Sequence, residues 1–207
     1  MQPYTRLTAV AAPLDIAKVD TGMIIAVRFT RIRRRPGHDY ARAFLHDLRF
    51  NEQGNARPDF ILNQRAYQGA RILVTGTDFG CGSSREGAAY AVLDYGIRAL
   101  IGPNFGDIFY VNCLQNGVLP VVLPLQAVET LTRQLLDEPG ARITVDLEQL
   151  LVTGPDGARY PFDMDATRRQ RLLHGLDDVG VTLQYLPEIE AFEARYRAAK
   201  SWLTNIV

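Results

Sequence analysis

Apolar and polar residues alternate in short blocks through the middle of the chain, and this pattern predicts alternating strands and helices. Three compact apolar runs are bounded by turn residues, and two stretches between them carry apolar residues at helical spacings of three and four. A strand–helix–strand–helix–strand order of this kind favours a parallel α/β layer. The predicted strands cover 71–75, 98–101 and 118–123, and the predicted helices cover 83–95 and 105–115.

The flanking thirds of the chain are less regular. Apolar runs at 7–10 and 23–27 predict two more strands, and the arginine-rich segment 28–42, with Pro36-Gly37 inside it, predicts a loop. Towards the C-terminus the pattern predicts helices at 125–136 and 165–173, antiparallel strands at 143–147, 150–153 and 159–162, and an amphipathic charged helix at 187–202. We therefore expect one domain over 1–207 with a helical tail from about 187 to 207.

Composition and charge narrow the class of protein. Of the 207 residues, 47% are hydrophobic and 22% are charged, which is typical of a globular domain. The 23 basic residues balance the 23 acidic ones, which argues against nucleic acid or an anionic membrane as a partner. No apolar stretch reaches the roughly 20 residues of a membrane span, and the N-terminus lacks the basic head of a signal peptide. We expect a cytoplasmic protein.

Potential metal ligands are few. Cys81 and Cys113 are the two cysteines, too few for an iron–sulfur cluster held by this chain alone. The three histidines show no zinc-binding spacing. We expect no metal to be bound by this chain.

The most informative segment is the glycine-rich turn between a predicted strand and a predicted helix, which reads GTDFGCGSSRE from Gly76 to Glu86. Glycines allow close backbone approach, and the N-terminus of the following helix favours an anion, so this turn fits a carboxylate or phosphate site. The alternative is a capping box with Ser83 as N-cap and Glu86 at N3. A capping box leaves Gly80, Gly82 and Arg85 unexplained, and the residues alone leave both interpretations open.

The segment FGCGSSRE, with AVLDYGIRALIGPNFGDIFYVNCLQNGVLPVVL after it, resembles the small-subunit family of 3-isopropylmalate dehydratase and the swivel domain of aconitase. Three further stretches are similar to the same family, namely LDIAKVDTGMII, PDFILNQRAYQGARILVTG and LLHGLDDVGVTLQ. The resemblance covers roughly residues 7 to 190. It implies a swivelling β/β/α domain of the aconitase C-terminal type, with three layers and a mainly parallel central sheet.

The resemblance also implies an activity and a partner. The reaction would interconvert 2- and 3-isopropylmalate in leucine biosynthesis by removing and re-adding water. A large subunit would carry a 4Fe-4S cluster and join this chain as a heterodimer or heterotetramer. Ser83 would be the base that takes the carbon-bound proton, and Arg85 and Ser84 would bind the substrate carboxylate and its developing charge. Gly82 and Thr21 would lie beside the substrate, and Arg34 or Arg35, in the loop 31–40, would read its distal carboxylate, unless these arginines form a solvated loop or an interface between subunits.

Three positions depart from the family pattern. Gly22 replaces the second acid of the "DTD" turn, Ala26 replaces a proline, and Gly87 replaces the histidine after SSRE. These departures keep two alternatives open: a paralogous subunit acting on another small 2-hydroxy diacid, such as a methyl- or dimethylmalate, and a non-catalytic assembly subunit.

This assignment predicts that the isolated chain is inactive. Purified anaerobically without a partner, it should carry no iron in a colorimetric assay and should dehydrate no 2-hydroxy diacid, because the cluster would belong to the other subunit. Unaided dehydration of any diacid would contradict the assignment.

Overall fold

The computed structural model describes residues 1–31, 34, 40–200 and 202. Within these residues, seven strands form one sheet in the order β4-β3-β2-β1-β5-β6-β7. The strands are β1 (Arg6–Leu14), β2 (Ile72–Thr75), β3 (Ala99–Gly102), β4 (Leu119–Val122), β5 (Arg142–Asp146), β6 (Leu151–Thr153) and β7 (Arg159–Pro161).

The helices lie between and around these strands. They are α1 (Thr21–Ile24), α2 (Val27–Thr30), α3 (His46–Arg49), α4 (Glu86–Tyr95), α5 (Asp107–Gln115), α6 (Leu125–Asp137), α7 (Ala166–His174), α8 (Asp178–Leu183) and α9 (Leu186–Ala199), with short 3-10 turns at Ala41–Ala43, Ile61–Asn63 and Arg65–Tyr67. Across the described ranges, none of these helices has the length and apolarity needed to cross a membrane.

The parallel layer predicted from the sequence is confirmed. Strands β1 to β4 pair in parallel, with Ala11 opposite Ile72, Ile72 opposite Ala99, and Ala99 opposite Leu119. The helices α4 and α5 make two of the three crossovers that this parallel pairing requires, and the segment 15–71 makes the third, from β1 to β2. The left-handed Gly96 (φ 107°) ends α4, as the sequence predicts. The antiparallel strands are confirmed too: β5 pairs with β1, and β6 and β7 extend that side.

Two apolar cores cover the two faces of the sheet, which explains why its central strands are apolar at nearly every position. Successive residues of β2 alternate between them: Leu73 packs with α4 and α5, whereas Ile72 and Val74 pack with α6. This helix–sheet–helix layering confirms the predicted swivelling α/β class. It also leaves the carboxyl ends of the parallel strands free to carry loops.

The strand predicted at 23–27 is wrong. The chain forms α1 and α2 there, because the Asp20 carboxylate accepts hydrogen bonds from the backbone N–H groups of Gly22 (2.7 Å) and Met23 (2.8 Å) and so caps a helical turn. The loop predicted at 28–42 is also partly helical, since α2 runs to Thr30 and a 3-10 turn begins at Ala41. The apolar run misled the prediction, since its buried residues belong to a compact helical region and not to the sheet.

A buried hydrogen bond joins Tyr67 to helix α6, and it leads to a testable prediction about stability. The Tyr67 hydroxyl donates to the Leu135 carbonyl oxygen at 2.8 Å, one of the last carbonyls of α6. We expect Tyr67→Phe to lower the free energy of unfolding by about 1–2 kcal/mol in urea titrations. The exposed Tyr185→Phe is the control and should stay within about 0.5 kcal/mol of the unsubstituted protein. Equal stabilities for the two variants would contradict this role.

Candidate active site

The candidate site lies where the carboxyl ends of the parallel strands meet. The turn 76–82 follows β2, Asp20 and Thr21 lie on the connection after β1, and the loop 103–106 follows β3. This edge of an α/β sheet is where ligands commonly bind, because loops and helix N-termini converge there.

We call residues 76–84, which are the glycine-rich turn and the two serines that follow it, the serine turn. Backbone contacts with the connection after β1 hold the serine turn in place. The Gly80 N–H donates to the Val19 carbonyl (2.7 Å), and the Thr21 N–H donates to the Cys81 carbonyl (3.0 Å). Gly80 and Gly82 have φ of 76° and 92°, in the left-handed region that favours glycine. These glycines therefore shape the turn, as the sequence suggested.

The loop after β3 holds the other side of the turn. The Gly106 N–H donates to the Phe79 carbonyl (3.0 Å), and the Asp78 N–H donates to the Asn104 side-chain oxygen (2.9 Å). The backbones approach so closely that a Cβ on Gly106 would lie 2.3 Å from the Gly80 carbonyl oxygen. The serine turn is thus clamped between two neighbouring loops.

The capping box predicted for Ser83 and Glu86 is wrong. Helix α4 begins at Glu86, its N-cap is Arg85 in an extended conformation (φ −139°, ψ 99°), and that residue makes no side-chain capping bond. Ser83 and Ser84 precede the helix, and both are exposed. The Ala88 N–H donates to the Arg85 carbonyl (3.0 Å), and the N–H groups of Glu86 and Gly87, at the start of the helix, lie next to the serine turn, where they favour an anion.

Arg85 supplies a positive charge at the same place. It is half-buried, and its Nη1 donates to the Ile25 carbonyl oxygen at 3.4 Å. No ion pair joins it to an acid within the part of the chain that the structure describes. Gly22 lies directly beside it, since a Cβ there would be 3.1 Å from Nη1. A guanidinium next to a helix N-terminus suits a carboxylate ligand.

Thr21 stabilises the serine turn through a side-chain hydrogen bond. It is buried, and its Oγ1 donates to the Ser83 carbonyl oxygen at 2.9 Å. Its hydroxyl hydrogen is therefore committed to positioning Ser83. The direct substrate contact predicted for Thr21 stays a prediction.

Arg34 is directed to the side of α4. Its Nε donates to Asp94 Oδ2 at 2.9 Å, and its guanidinium lies over the Tyr90 ring, 4.4 Å from the centroid. The hydrogen bond to Asp94 raises the pKa of Arg34. Because Tyr90 and Asp94 lie one and two turns into α4, this arrangement does not bring Arg34 together with Ser83 and Arg85. Arg35, the other predicted distal-carboxylate residue, lies outside the described residues.

The sequence interpretation missed two groups that position the site. Asp20 caps α1. The sequence signal for this cap is an aspartate followed two residues later by a glycine, but the apolar run at 23–27 favoured a strand instead. Asn104 contacts Asp78 across 26 positions of sequence, and a contact between two loops leaves no local pattern.

The cysteine and histidine side chains provide few potential ligands for a metal ion. Cys113 is fully buried, which raises the pKa of its thiol, and Cys81 is half-buried in the serine turn. Among the described ranges, no group of three or more His, Cys, Asp or Glu side chains is arranged to hold a metal ion.

The fold and this clamped serine turn define a swivelling domain of the aconitase type. A family model described as the aconitase C-terminal domain matches residues 1–126, and one described as LeuD_N matches 129–166. A third, which describes the C-terminal domain of the small subunit of 3-isopropylmalate dehydratase, matches 178–206. The chain belongs to the 3-isopropylmalate dehydratase small-subunit family.

Individual relatives agree with this membership. The chain is 45% identical to a 3-isopropylmalate dehydratase small subunit of Dinoroseobacter shibae, over 98% of this chain and 100% of that one. It is 48% identical to one of Rhodospirillum centenum, over 98% of each chain. A solved structure of 3-isopropylmalate dehydratase from Methanocaldococcus jannaschii shares the fold, with a TM-score of 0.62 and 22% identity over 93% of this chain and 99% of that one.

The clamp predicts opposite changes in stability when each of two glycines is replaced by alanine. Gly106→Ala should lower the free energy of unfolding by about 1–3 kcal/mol, because the added methyl group meets the Gly80 carbonyl and backbone cannot yield. Gly87→Ala is the control. Its added methyl group would lie at an ordinary 3.7 Å from the nearest atom, and position 87 is in α4, so this variant should raise the free energy of unfolding by up to about 1 kcal/mol. Urea titration of both variants tests this, and equal stabilities would contradict the clamp.

Proposed function

We propose that this chain is the small subunit of a 3-isopropylmalate dehydratase, which interconverts 2- and 3-isopropylmalate by removing and re-adding water. Its family membership supports the reaction. The observation that carries the proposal is the open Gly82-Ser83-Ser84-Arg85 turn at the N-terminus of α4. It places two hydroxyls beside an arginine that pairs with no acid among the described residues. Interconversion of these hydroxy acids would serve leucine biosynthesis.

Arg85 and the N-terminus of α4 bind the substrate carboxylate in this proposal. Removal of the proton next to a carboxylate moves negative charge onto its oxygens, so donors already aimed there stabilise the transition state. Such a donor is typically worth about 3 kcal/mol of activation free energy. The Ser84 hydroxyl and the backbone of Gly82 add further contacts on the same side.

Ser83 takes the carbon-bound proton. A serine hydroxyl is a very weak acid, so it acts as a base only where positive potential stabilises its deprotonated form. The helix N-terminus and Arg85 both supply such potential, and the bond from Thr21 Oγ1 to the Ser83 carbonyl fixes the backbone that carries the base.

The iron–sulfur cluster belongs on the large subunit. Cluster ligation takes three or four cysteine thiolates, whereas this chain has two cysteines, one of them fully buried with a raised pKa. This chain therefore does not fit a 4Fe-4S cluster and contributes protein groups only. We place it in a heterodimer or heterotetramer with the large subunit in the cytoplasm, a reducing compartment that suits its two free cysteines.

A second candidate is a paralogous hydro-lyase for another small 2-hydroxy diacid. The observation that favours it is the glycine at position 22, which lies against the Arg85 guanidinium. A Cβ at Gly22 would lie 3.1 Å from Arg85 Nη1, so a side chain there would have to displace the guanidinium. A guanidinium placed in this way suits a diacid with a different substituent.

The direct test is anaerobic copurification with the large subunit of the same organism, followed by dehydration assays on a panel of 2-hydroxy diacids. We expect turnover of isopropylmalate, and a fall in kcat of about 10²- to 10⁴-fold for Ser83→Ala with the complex intact, because a general base is lost. Thr130→Ala, which removes a hydroxyl on the surface of α6, is the matched control and should keep full activity.

The other outcomes separate the alternatives. Activity on another diacid only would establish the paralogue. A stable complex that turns over nothing, or full activity of Ser83→Ala, would contradict the proposed base and point to a non-catalytic role.

A further inference from the structure

Helix α9 lies on the surface, and the proposed reaction does not use it. It spans 14 residues, all of them described, and none of them is buried. An isolated helix of this length is only marginally stable in water, and helices in proteins are stabilised mainly by packing of one face. A surface that covers one face of α9 would therefore stabilise it.

One side of the helix carries an apolar stripe. We call the residues Tyr185, Ile189, Phe192 and Tyr196 the tail stripe; their spacings of four, three and four place them within about 60° of the helix circumference. Tyr185 is 59% exposed, Phe192 58% and Tyr196 43%, and the Phe192 and Tyr196 ring centroids are 5.7 Å apart. A contiguous aromatic patch of this kind marks an interaction surface.

The charges of α9 and its C-terminal end are divided by sign. Three acids come first and three bases follow, namely Glu188, Glu190, Glu193, Arg195, Arg197 and Lys200. The charges cancel, so the helix lacks the basic face that binds nucleic acid or an anionic membrane. In an antiparallel pair of α9 helices, however, the acidic half of each copy lies along the basic half of the other, and the two halves attract each other.

The tail stripe fixes the register of such a pair. Alternating spacings of four and three are those of the core positions of a two-helix coiled coil. In the antiparallel register that uses the whole stripe, Tyr185 lies level with Tyr196 of the second copy, and Ile189 lies level with Phe192 of the second copy. The two stripes then cover each other completely.

The same register places opposite charges together beside the stripe. Glu188 and Arg195 flank the stripe on one side, and antiparallel helices bring such flanking positions of the two copies together. Glu188 of each copy therefore lies beside Arg195 of the other, whereas Glu193 flanks the other side and pairs with Arg197 of its own helix at 2.7 Å. Parallel pairing would instead bring Glu188 beside Glu193 and Arg195 beside Lys200, so like charges oppose it.

We propose that the tail stripe is a self-association surface, on which two copies of this chain pair through antiparallel α9 helices. The pairing needs no large subunit, so it is independent of the proposed function. Burial of the half-exposed stripes of both copies removes about 700 Å² of surface from water, less than the roughly 1,200 Å² at which stable interfaces begin. The dimer is therefore weak and depends on concentration.

The pairing has a consequence for the proposed enzyme. In the complex with the large subunit, paired α9 helices join two small subunits and produce the heterotetramer in place of the heterodimer. This consequence rests on the proposed function, whereas the pairing itself does not.

Sedimentation equilibrium of the full-length chain, in reducing buffer that prevents disulfide cross-links, tests the pairing. The unsubstituted chain should dimerise with a Kd of about 10–300 μM. Phe192→Glu should raise the Kd at least about 100-fold, because each dimer then buries two charges in its apolar core. Ala194→Glu adds the same charge on the opposite side of α9 and is the control, with a Kd within about threefold of that of the unsubstituted chain.

An exchange of charges tests the antiparallel register. Glu188→Arg alone places two arginines together at two positions of the pair and should raise the Kd about 5- to 20-fold. The double variant Glu188→Arg/Arg195→Glu restores opposite charges across the pair, so its Kd should return to within about threefold of the unsubstituted value.

Three results would overturn the pairing. The first is an unsubstituted chain that stays monomeric up to about 1 mM. The second is a dimer of unchanged strength in Phe192→Glu, and the third is a double variant that dimerises as weakly as Glu188→Arg alone. A monomeric chain whose Phe192→Glu variant loses binding to the large subunit would assign the stripe to that partner instead.

Discussion

The backbone contact between Gly106 and Gly80 is the constraint on which the site depends. A Cβ at Gly106 would lie 2.3 Å from the Gly80 carbonyl oxygen, so only glycine allows the loop after β3 to reach the serine turn. That approach, the bond from Gly80 to Val19 and the bond from Thr21 to Cys81 fasten three consecutive strand ends together. The serine turn is therefore held by backbone before any substrate arrives, and such preorganisation is what catalytic donors require.

The electrostatics of the site follow from the same geometry. Because the turn is clamped, α4 begins only at Glu86, and the N–H groups of Glu86 and Gly87 lie next to the exposed serines and Arg85. A glycine at position 22 leaves the guanidinium uncovered on that side. The loop arrangement thus concentrates positive potential where a carboxylate substrate would accumulate negative charge.

The sequence predicted the parts of the fold in which local pattern and packing agree. The β2–α4–β3–α5–β4 layer has compact apolar strands, helical periodicity and glycine stops, and the structure confirms it. The prediction fails at 23–27, where the Asp20 cap overrides an apolar run, and at Ser83, where tertiary clamping delays the helix start. Ser83 and Arg85 were predicted from their motif, and their roles stay predictions. Asn104 and the pairing of Arg34 with Asp94 arise from long-range contacts that no local spacing encodes. The division into one domain and a tail stays a prediction.

The proposed function depends on the turn from Gly82 to Arg85 binding the reacting end of a hydroxy diacid. A crystal structure of this chain in complex with its large subunit and such a diacid would show whether it does. We expect a substrate carboxylate within hydrogen-bonding distance of the Arg85 guanidinium and the first N–H groups of α4, with Ser83 Oγ beside the carbon that loses its proton. A diacid bound in the complex with no atom of residues 82–85 in contact would contradict this assignment.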